Sequence, residues 1–564
     1  MTSTSDIGDA ADHLRGVGNM GAVHPQFSVL DDAWIAVRLV DGSAAEVSLR
    51  DAFHRADEIA EITGDLPTQA FAILRLMLAI LYRTLRGDKL TIDVWAFWRE
   101  NGLPNGDIDD YFDLYADRFE LFHPERPFFQ VADLATASGD HKDVSPLILD
   151  LPSNNRLFTN RAGSGASSLS FAEATRWLVD AQAWDPSGIK SGALGDPRVK
   201  GGKGYPLGLA WAGLLGGVYV QGQTLRDTLL LNLVATDDGL DVDAEWDVPP
   251  WEEEQADDAA EREGIVPRGP VRLYTWQARR IRLFPSGSRV TGCLVTNGDR
   301  LTPQNQQTHE PMSAWRFSEP QTKAAKQTTY MPREHQQGRA MWRGIGALLP
   351  ELAVPVPKRD IPASLPPGIV GWLQRVEDET DLLPSRDQFR LRAIGVVYGS
   401  NNSVVDEVID DEVLIPVALL RDRNRPLAAQ AQEAVRLADE GVLALRHLAE
   451  NLDRAAGGTG EGARVRAGEV AYAAFDAPYR CWLASLTDAS DPVEVVSEWK
   501  RTAYGILREL GTELIETSGP AAWVGRDVSR GGRTDLITTP RAEGWFLSSL
   551  AKTFGAAARK EEAA

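Results

Sequence analysis

The chain is poor in the residues that announce chemistry. It holds 2 cysteines, Cys293 and Cys481, among 564 residues. That excludes a disulfide framework and any all-cysteine zinc site. The 8 histidines are scattered, and none pairs with another at helical metal-ligand spacing. There is no phosphate loop of the G-x-x-x-x-G-K-S/T type, no H-E-x-x-H, no nucleophile elbow and no dinucleotide fingerprint. No cofactor or metal is therefore expected. Long apolar runs are missing too. Leu207–Val220 spans 14 residues, short of the ~20 that cross a bilayer, and glycine dilutes its surroundings. It reads as buried core packed closely through glycine. The opening MTSTSDIGDAADHLRG has neither a basic start nor an apolar centre, so it reads as a mobile tail rather than a signal peptide. With so few cysteines, a reducing cytoplasmic compartment is expected.

Positive charge is also scarce overall. The formal net charge is −22, which excludes a generic nucleic-acid coat. The charge is uneven, however. Ala235–Glu263 carries 13 acids and 1 base, and Ile265–Gly346 carries 13 bases and 4 acids. Such asymmetry fits a phosphate-binding surface in an acidic protein, or two charged faces that attract each other.

What is present is an ordinary globular composition, 43% hydrophobic and 25% charged, at a length that allows about two to four domains. Residues 28–62 predict a hairpin turning at Asp41-Gly42, followed by a helix entered at Ser48. Leu66–Leu85 predicts a helix apolar on most faces, and Asp110–Phe122 another helix. Residues 150–350 are irregular and rich in Gly, Pro, Asn and Gln, a composition of functional loops. Beyond Pro426 the pattern becomes helical. Helices are expected over Pro426–Asp453, Val465–Leu486, from Asp491 as N-cap with Pro492 in the first turn, and over about 539–558. They are separated by the glycine-rich Arg454–Arg464 and Ser529–Arg533. The expected fold is α+β: a large mixed N-terminal domain with irregular loops over 1–405, then a C-terminal four-helix bundle over 406–564.

One weak catalytic pattern exists. Ser187-Gly-Ile-Lys190 fits S-x-x-K, in which a lysine activates a serine for acyl transfer. Ser497 and Lys500 fit it as well, inside an expected helix, and the companion motifs are absent. The same glycine-bearing loop can instead approach a nucleic-acid groove closely, because glycine removes side-chain bulk.

Several segments, in order, resemble one family. They are VLDDAWIAVR (Val29–Arg38), FELFHPERPFFQV (Phe119–Val131), RLFTN (Arg156–Asn160), SGIKSG (Ser187–Gly192), LRDTLLLNLV (Leu225–Val234), PPWEE (Pro249–Glu253) and YGSNNS (Tyr398–Ser403). The chain resembles the CasA family, the large subunit of the type I-E CRISPR surveillance complex Cascade. The resemblance implies a non-catalytic binding role. Such a subunit recognises the protospacer-adjacent motif (PAM) of double-stranded target DNA in the minor groove. It also helps open the duplex to start the R-loop, and helps recruit the helicase–nuclease effector. The implied partners are the guide RNA with its 5′ handle, the target DNA, the other Cascade subunits and that effector, with no membrane.

Carried over by motif, Phe158, Thr159 and Asn160 match the loop near the guide-RNA handle. Ser187, Gly188 and Lys190 match the glycine loop that approaches the minor groove, and Asn401 and Asn402 match the wedge that splits the first base pairs. Three departures stand out. Ser187 replaces a glycine, Asn402 replaces a longer glutamine, and the family's minor-groove lysine has no counterpart, Gln306 being the best-aligned residue. Some relatives carry a cysteine cluster that suggests zinc, which this chain cannot build. Plainer readings stand beside these: Phe158 as a core anchor, Asn401-Asn402 as an ordinary turn, Gly188 and Gly192 as turn glycines. A scaffold that reads no DNA also remains open.

Overall fold

A computed structural model describes residues 25–555, apart from 86, 152–160, 162–166, 238, 254–258, 263, 350–355, 358, 360, 381, 384–387 and 531–532. The expected N-terminal tail and the expected handle loop Phe158, Thr159 and Asn160 lie outside the described residues.

The N-terminal part starts with a hairpin, β1 (Ile35–Leu39) and β2 (Ala44–Val47), turning at Asp41-Gly42 as expected. Asp41 accepts from the Ser43 backbone and hydroxyl, and Gly42 takes the left-handed conformation at φ +88°. The helix that follows is shorter than predicted. It covers Leu49–His54, capped by the Ser48 side chain. Ile59–Ile62 forms β3, antiparallel to β1. The apolar ends Ile59 and Ile62 are buried, so tertiary burial overrides a helical local pattern. Helix α1 (Pro67–Thr84) runs through the middle of this part, buried over nearly its whole surface. Its one buried arginine, Arg75, makes a two-fork pair with Glu310 at 2.9 and 2.7 Å. Trp211 Nε1 donates to the same carboxylate at 2.7 Å. This satisfied network ties α1 to the irregular middle of the chain. The helix predicted over Asp110–Phe122 is instead Asn105–Leu114 plus a 3-10 turn at Ala116–Phe119.

Further along, α2 (Phe171–Trp184) opens on a capping box between Ser170 and Glu173. A short hairpin of β4 (Lys190–Ser191) and β5 (Lys203–Gly204) follows. The apolar run 207–220 is core, as expected: a 3-10 turn at Trp211–Leu214, then most of β6 (Gly217–Gln221). No helix among the described residues is long and apolar enough to cross a membrane. Strands β7 (Arg279–Ser286) and β8 (Arg289–Asn297) form a long hairpin, and β9 (Trp315–Phe317) pairs with β10 (Tyr330–Pro332). The longest ladder joins β11 (Gln388–Tyr398) to β12 (Val405–Pro416), with β6 on the other side of β11. Strand β12 starts at Val405 and stays in this sheet, so the helical part of the chain begins later, at Arg425.

The C-terminal bundle is built from α3 (Arg425–Ala456), α4 (Glu461–Ala484), α5 (Pro492–Glu516) and α6 (Thr539–Phe554). Helix α3 packs on the other three. The Asp491 cap is present: its carboxylate accepts from the Val493 and Glu494 amides at 2.8 and 3.1 Å. Aromatic side chains knit the interior, with Tyr479 edge-on to Trp499 at 5.3 Å and against Trp342 of the N-terminal part at 4.4 Å. The Arg454–Arg464 connector is largely helical, interrupted where Gly457 ends α3 at φ +102°. The break expected at Ser529–Arg533 falls where β13 (Arg526–Arg530) pairs antiparallel with β14 (Arg533–Ile537). Strand pairing there extends the bundle with an element the helical period did not predict.

Candidate nucleic-acid interface

Two of the expected loops meet. The segment from Asp185 to Lys190 leads off the end of helix α2 toward the hairpin tip between β11 and β12. The Ser187 amide donates to the Asn402 carbonyl at 2.7 Å. Asn401 and Asn402 both adopt left-handed backbone conformations, at φ 53° and 54°. Asparagine tolerates this region better than most residues because its short amide side chain can hydrogen-bond the local backbone. The turn is closed by Asn402 N to Gly399 O at 2.9 Å and Gly399 N to Val404 O at 2.9 Å. A side chain at Gly399 would collide with the Asp406 carboxylate at 2.5 Å. Both asparagine side chains are exposed. So the turn is fixed by its backbone, while its amide groups face outward.

The glycine loop is set from behind by a residue outside every recognised motif. Arg279, buried at the start of β7, forms an ion pair with Asp185. Its Nη2 donates to the Asp185, Pro186 and Gly208 carbonyls at 3.1, 3.1 and 3.0 Å. Gln182 holds the Arg279 backbone on both sides, at 3.0 and 2.9 Å. Tyr398 OH donates to the Trp184 carbonyl at 2.6 Å, which pins the end of β11 to the end of α2. Arg279 belongs to the basic stretch of the sequence, but nothing in spacing alone separates it from its neighbours.

The individual residues of the loop differ in what they offer. Gly188 has open space where a side chain would stand, and Ile189 beyond it is 57% exposed. Ser187 is buried. Lys190 pairs its ammonium with Asp185. Burial pulls its pKa below the ordinary lysine value, and nearby Arg279 adds to that, against the pull of Asp185. Its charge is thus used inside the protein rather than presented to solvent. Among the described residues no hydrogen bond joins Ser187 to Lys190. Gln306 is not brought to this cluster by any hydrogen bond among the described residues. Its amide donates to the Thr302 carbonyl at 3.2 Å, and its Oε1 meets His309 Nδ1 at 3.0 Å.

The basic stretch resolves differently from a continuous phosphate track. Arg272 pairs with Glu253 of the acidic stretch at 2.9 Å, and Arg280 with Asp299 at 2.7 Å. Arg262 bridges Glu253 and Asp299. Part of the positive stretch therefore neutralises acids inside the fold.

The architecture and the site define a mixed α+β body that projects paired polar loops and carries a helical bundle. Comparison with known proteins agrees. The family model for CRISPR-associated protein Cse1 matches residues 29–510. A curated relative from Thermus thermophilus, CRISPR-associated protein CasA/Cse1, is 31% identical over 438 residues, covering 77% of this chain and 79% of its own. The crystal structure of Thermobifida fusca Cse1 is similar at 41% identity, with a TM-score of 0.85, over 94% of this chain and 98% of that one. A chain of a CRISPR RNA-guided surveillance complex shares the fold at 20% identity, with a TM-score of 0.68, over 94% of this chain and 100% of that one. The chain belongs to the Cse1 (CasA) family of CRISPR-associated proteins.

Proposed function

We propose that this chain is the non-catalytic large subunit of an RNA-guided DNA surveillance complex, working in the cytoplasm, and that its two joined loops read the PAM. The observation that carries the reading is the hydrogen bond between Ser187 and Asn402, which couples a glycine loop to an exposed asparagine turn. A narrow minor groove needs a reader of small cross-section, because its donor–acceptor pattern is degenerate and its walls are close. Gly188 offers an edge without side-chain bulk. The Asn401 and Asn402 amides offer hydrogen bonds to base edges freed when the first pair opens, against an unstacking cost of a few kcal/mol. Division of labour follows: protein reads the short motif and base pairing reads the long sequence. We assign the mixed part to PAM and guide-handle contacts, Phe158, Thr159 and Asn160 included, and the bundle to neighbouring subunits. Recruitment of the helicase–nuclease belongs to the same reading.

The test is a gel-shift titration. A guide-loaded complex, with and without this chain, meets duplex targets drawn from a library randomised at the PAM. Target opening that needs this chain and depends on the PAM supports the reading. Equal selection of PAM duplexes without it refutes the reading. A Ser187→Ala variant separates the hydrolase alternative, which would lose all activity, from a binding loop, which would shift PAM preference only.

A further inference from the structure

One cavity lies away from the joined loops. It is a groove of about 1020 Å³ between β9, the segment from Arg333 to Leu348 and helix α3 of the bundle. Five arginines line it: Arg316, Arg333, Arg339, Arg343 and Arg436. Two of them are neutralised. Arg343 pairs with Asp439 at 3.2 Å and Arg436 with Glu433 at 2.5 Å. The others are not. Arg333 makes no ion pair among the described residues, and Arg339 spends its guanidinium on the Gln336 side chain and the Arg343 carbonyl at 3.1 and 3.0 Å. Both are half-buried. They also repel each other: Arg339 is a cause, after burial, of the lowered Arg333 pKa.

Two like charges facing one half-buried groove are costly in a folded protein unless an anion joins them. The chain has acids to spare, at a net −22, and it neutralises Arg272, Arg279 and Arg280 with them. At Arg333 and Arg339 it does not. Planar guanidinium forks match the oxygens of a phosphate two at a time. The groove is at the upper end of volumes that hold an organic ligand, about 300–1,000 Å³, so it has room for more than one inorganic ion.

We infer that the groove between β9 and α3 is a phosphate-binding site, with Arg333 and Arg339 as its anion-holding pair. The phosphate oxygens can come from a nucleic-acid backbone or from a small phosphate compound. The site is separate from the Ser187–Asn402 loops and does not depend on PAM reading.

The experiment uses the isolated full chain, without guide RNA or PAM. Fluorescence anisotropy follows a labelled oligothymidine, and thermal melting follows inorganic pyrophosphate. The variants are Arg333→Gln with Arg339→Gln, and a control, Lys323→Gln with Lys326→Gln, which removes the same charge from an exposed segment of the same stretch. If the arginine pair holds a backbone, the arginine variant loses affinity for the oligothymidine by about tenfold, with a shallower salt dependence, and the control does not. If it holds a small phosphate compound, pyrophosphate raises the melting temperature of the parent and the control but not of the arginine variant. Equal binding and equal melting shifts in both variants overturn the inference. Because removing one of two repelling charges does not threaten folding, Arg339→Gln alone serves if the double variant expresses poorly. PAM selection by the assembled complex is read separately, so either idea can fail without the other.

Discussion

The amide of Ser187 and the carbonyl of Asn402 are 2.7 Å apart, across more than 200 residues of chain. One loop leaves the end of α2 and the other is the tip of the β11–β12 hairpin. Neither strand nor helix pairing requires them to meet, yet a direct backbone bond fixes their separation.

The asparagine turn separates backbone shape from side-chain chemistry. Replacing both residues by glycine, Asn401→Gly with Asn402→Gly, keeps the left-handed conformation, which glycine adopts freely. The folded stability then changes by less than about 1 kcal/mol. Under the proposed function, target opening by the assembled complex falls by about tenfold or more, because the amides are gone. Melting curves and the PAM gel shift check the two halves. Unchanged opening removes the wedge from the proposal.

Arg279 holds the glycine loop, and its loss leaves Asp185 with only Lys190 as a buried counter-charge. Arg279→Met is expected to destabilise the protein by about 3–5 kcal/mol, as for a broken buried pair. Lys190→Met costs less, since Arg279 still faces the carboxylate. Urea unfolding of the two variants gives the order, and a reversed order would mean that Lys190 is the principal partner.

Asp180 gives a pH dependence of known sign. Burial pushes its carboxyl up to about 8, with Asp150, Asp185 and Asp65 adding to the shift, and neither carboxyl oxygen has a hydrogen-bond partner among the described residues. The unfolded chain releases the same proton near 3.8. Between those values the folded state holds a proton that the unfolded state lacks. Its contribution is therefore complete below the lower value and is lost as pH rises to the upper one, at roughly 1 kcal/mol per pH unit. Asp180→Asn is expected to melt above the parent at pH 8, with the gap closing toward pH 4. A gap that does not change with pH would show that Asp180 ionises normally.

The two cysteines differ in reactivity. Cys481 is exposed, and Cys293 is buried with its thiol pushed up to about 12 by desolvation and the nearby Asp143. A disulfide-exchange reagent at neutral pH is expected to titrate one thiol per chain quickly and the second only in denaturant. Cys481→Ser removes the fast phase.

The bundle was legible because its signals are local. Asp491, Pro492 and the apolar stripe through Trp499, Ala503 and Leu507 mark α5 within a few turns of chain. Helix α1 was legible for the same reason, since a helix apolar on most faces has to be buried. What was misread depended on distant partners. Ile59–Ile62 follows a helical pattern but pairs with β1. The β13–β14 strands carry mostly polar residues with no strand alternation, so Ser529–Arg533 reads in sequence only as a break.

The candidate site divides along the same line. Sequence alone determined the glycine loop, the asparagine pair and their family resemblance, because turn chemistry is written in adjacent residues. It also determined that positive charge gathers between Ile265 and Gly346. Only the tertiary structure decided how that charge is used. It turned Arg272, Arg279 and Arg280 inward to carboxylates and left Arg333 and Arg339 facing a groove. Charge pairing acts through space at a few ångströms, and the partners lie 19 to 94 residues away in the chain. No local pattern records that distance.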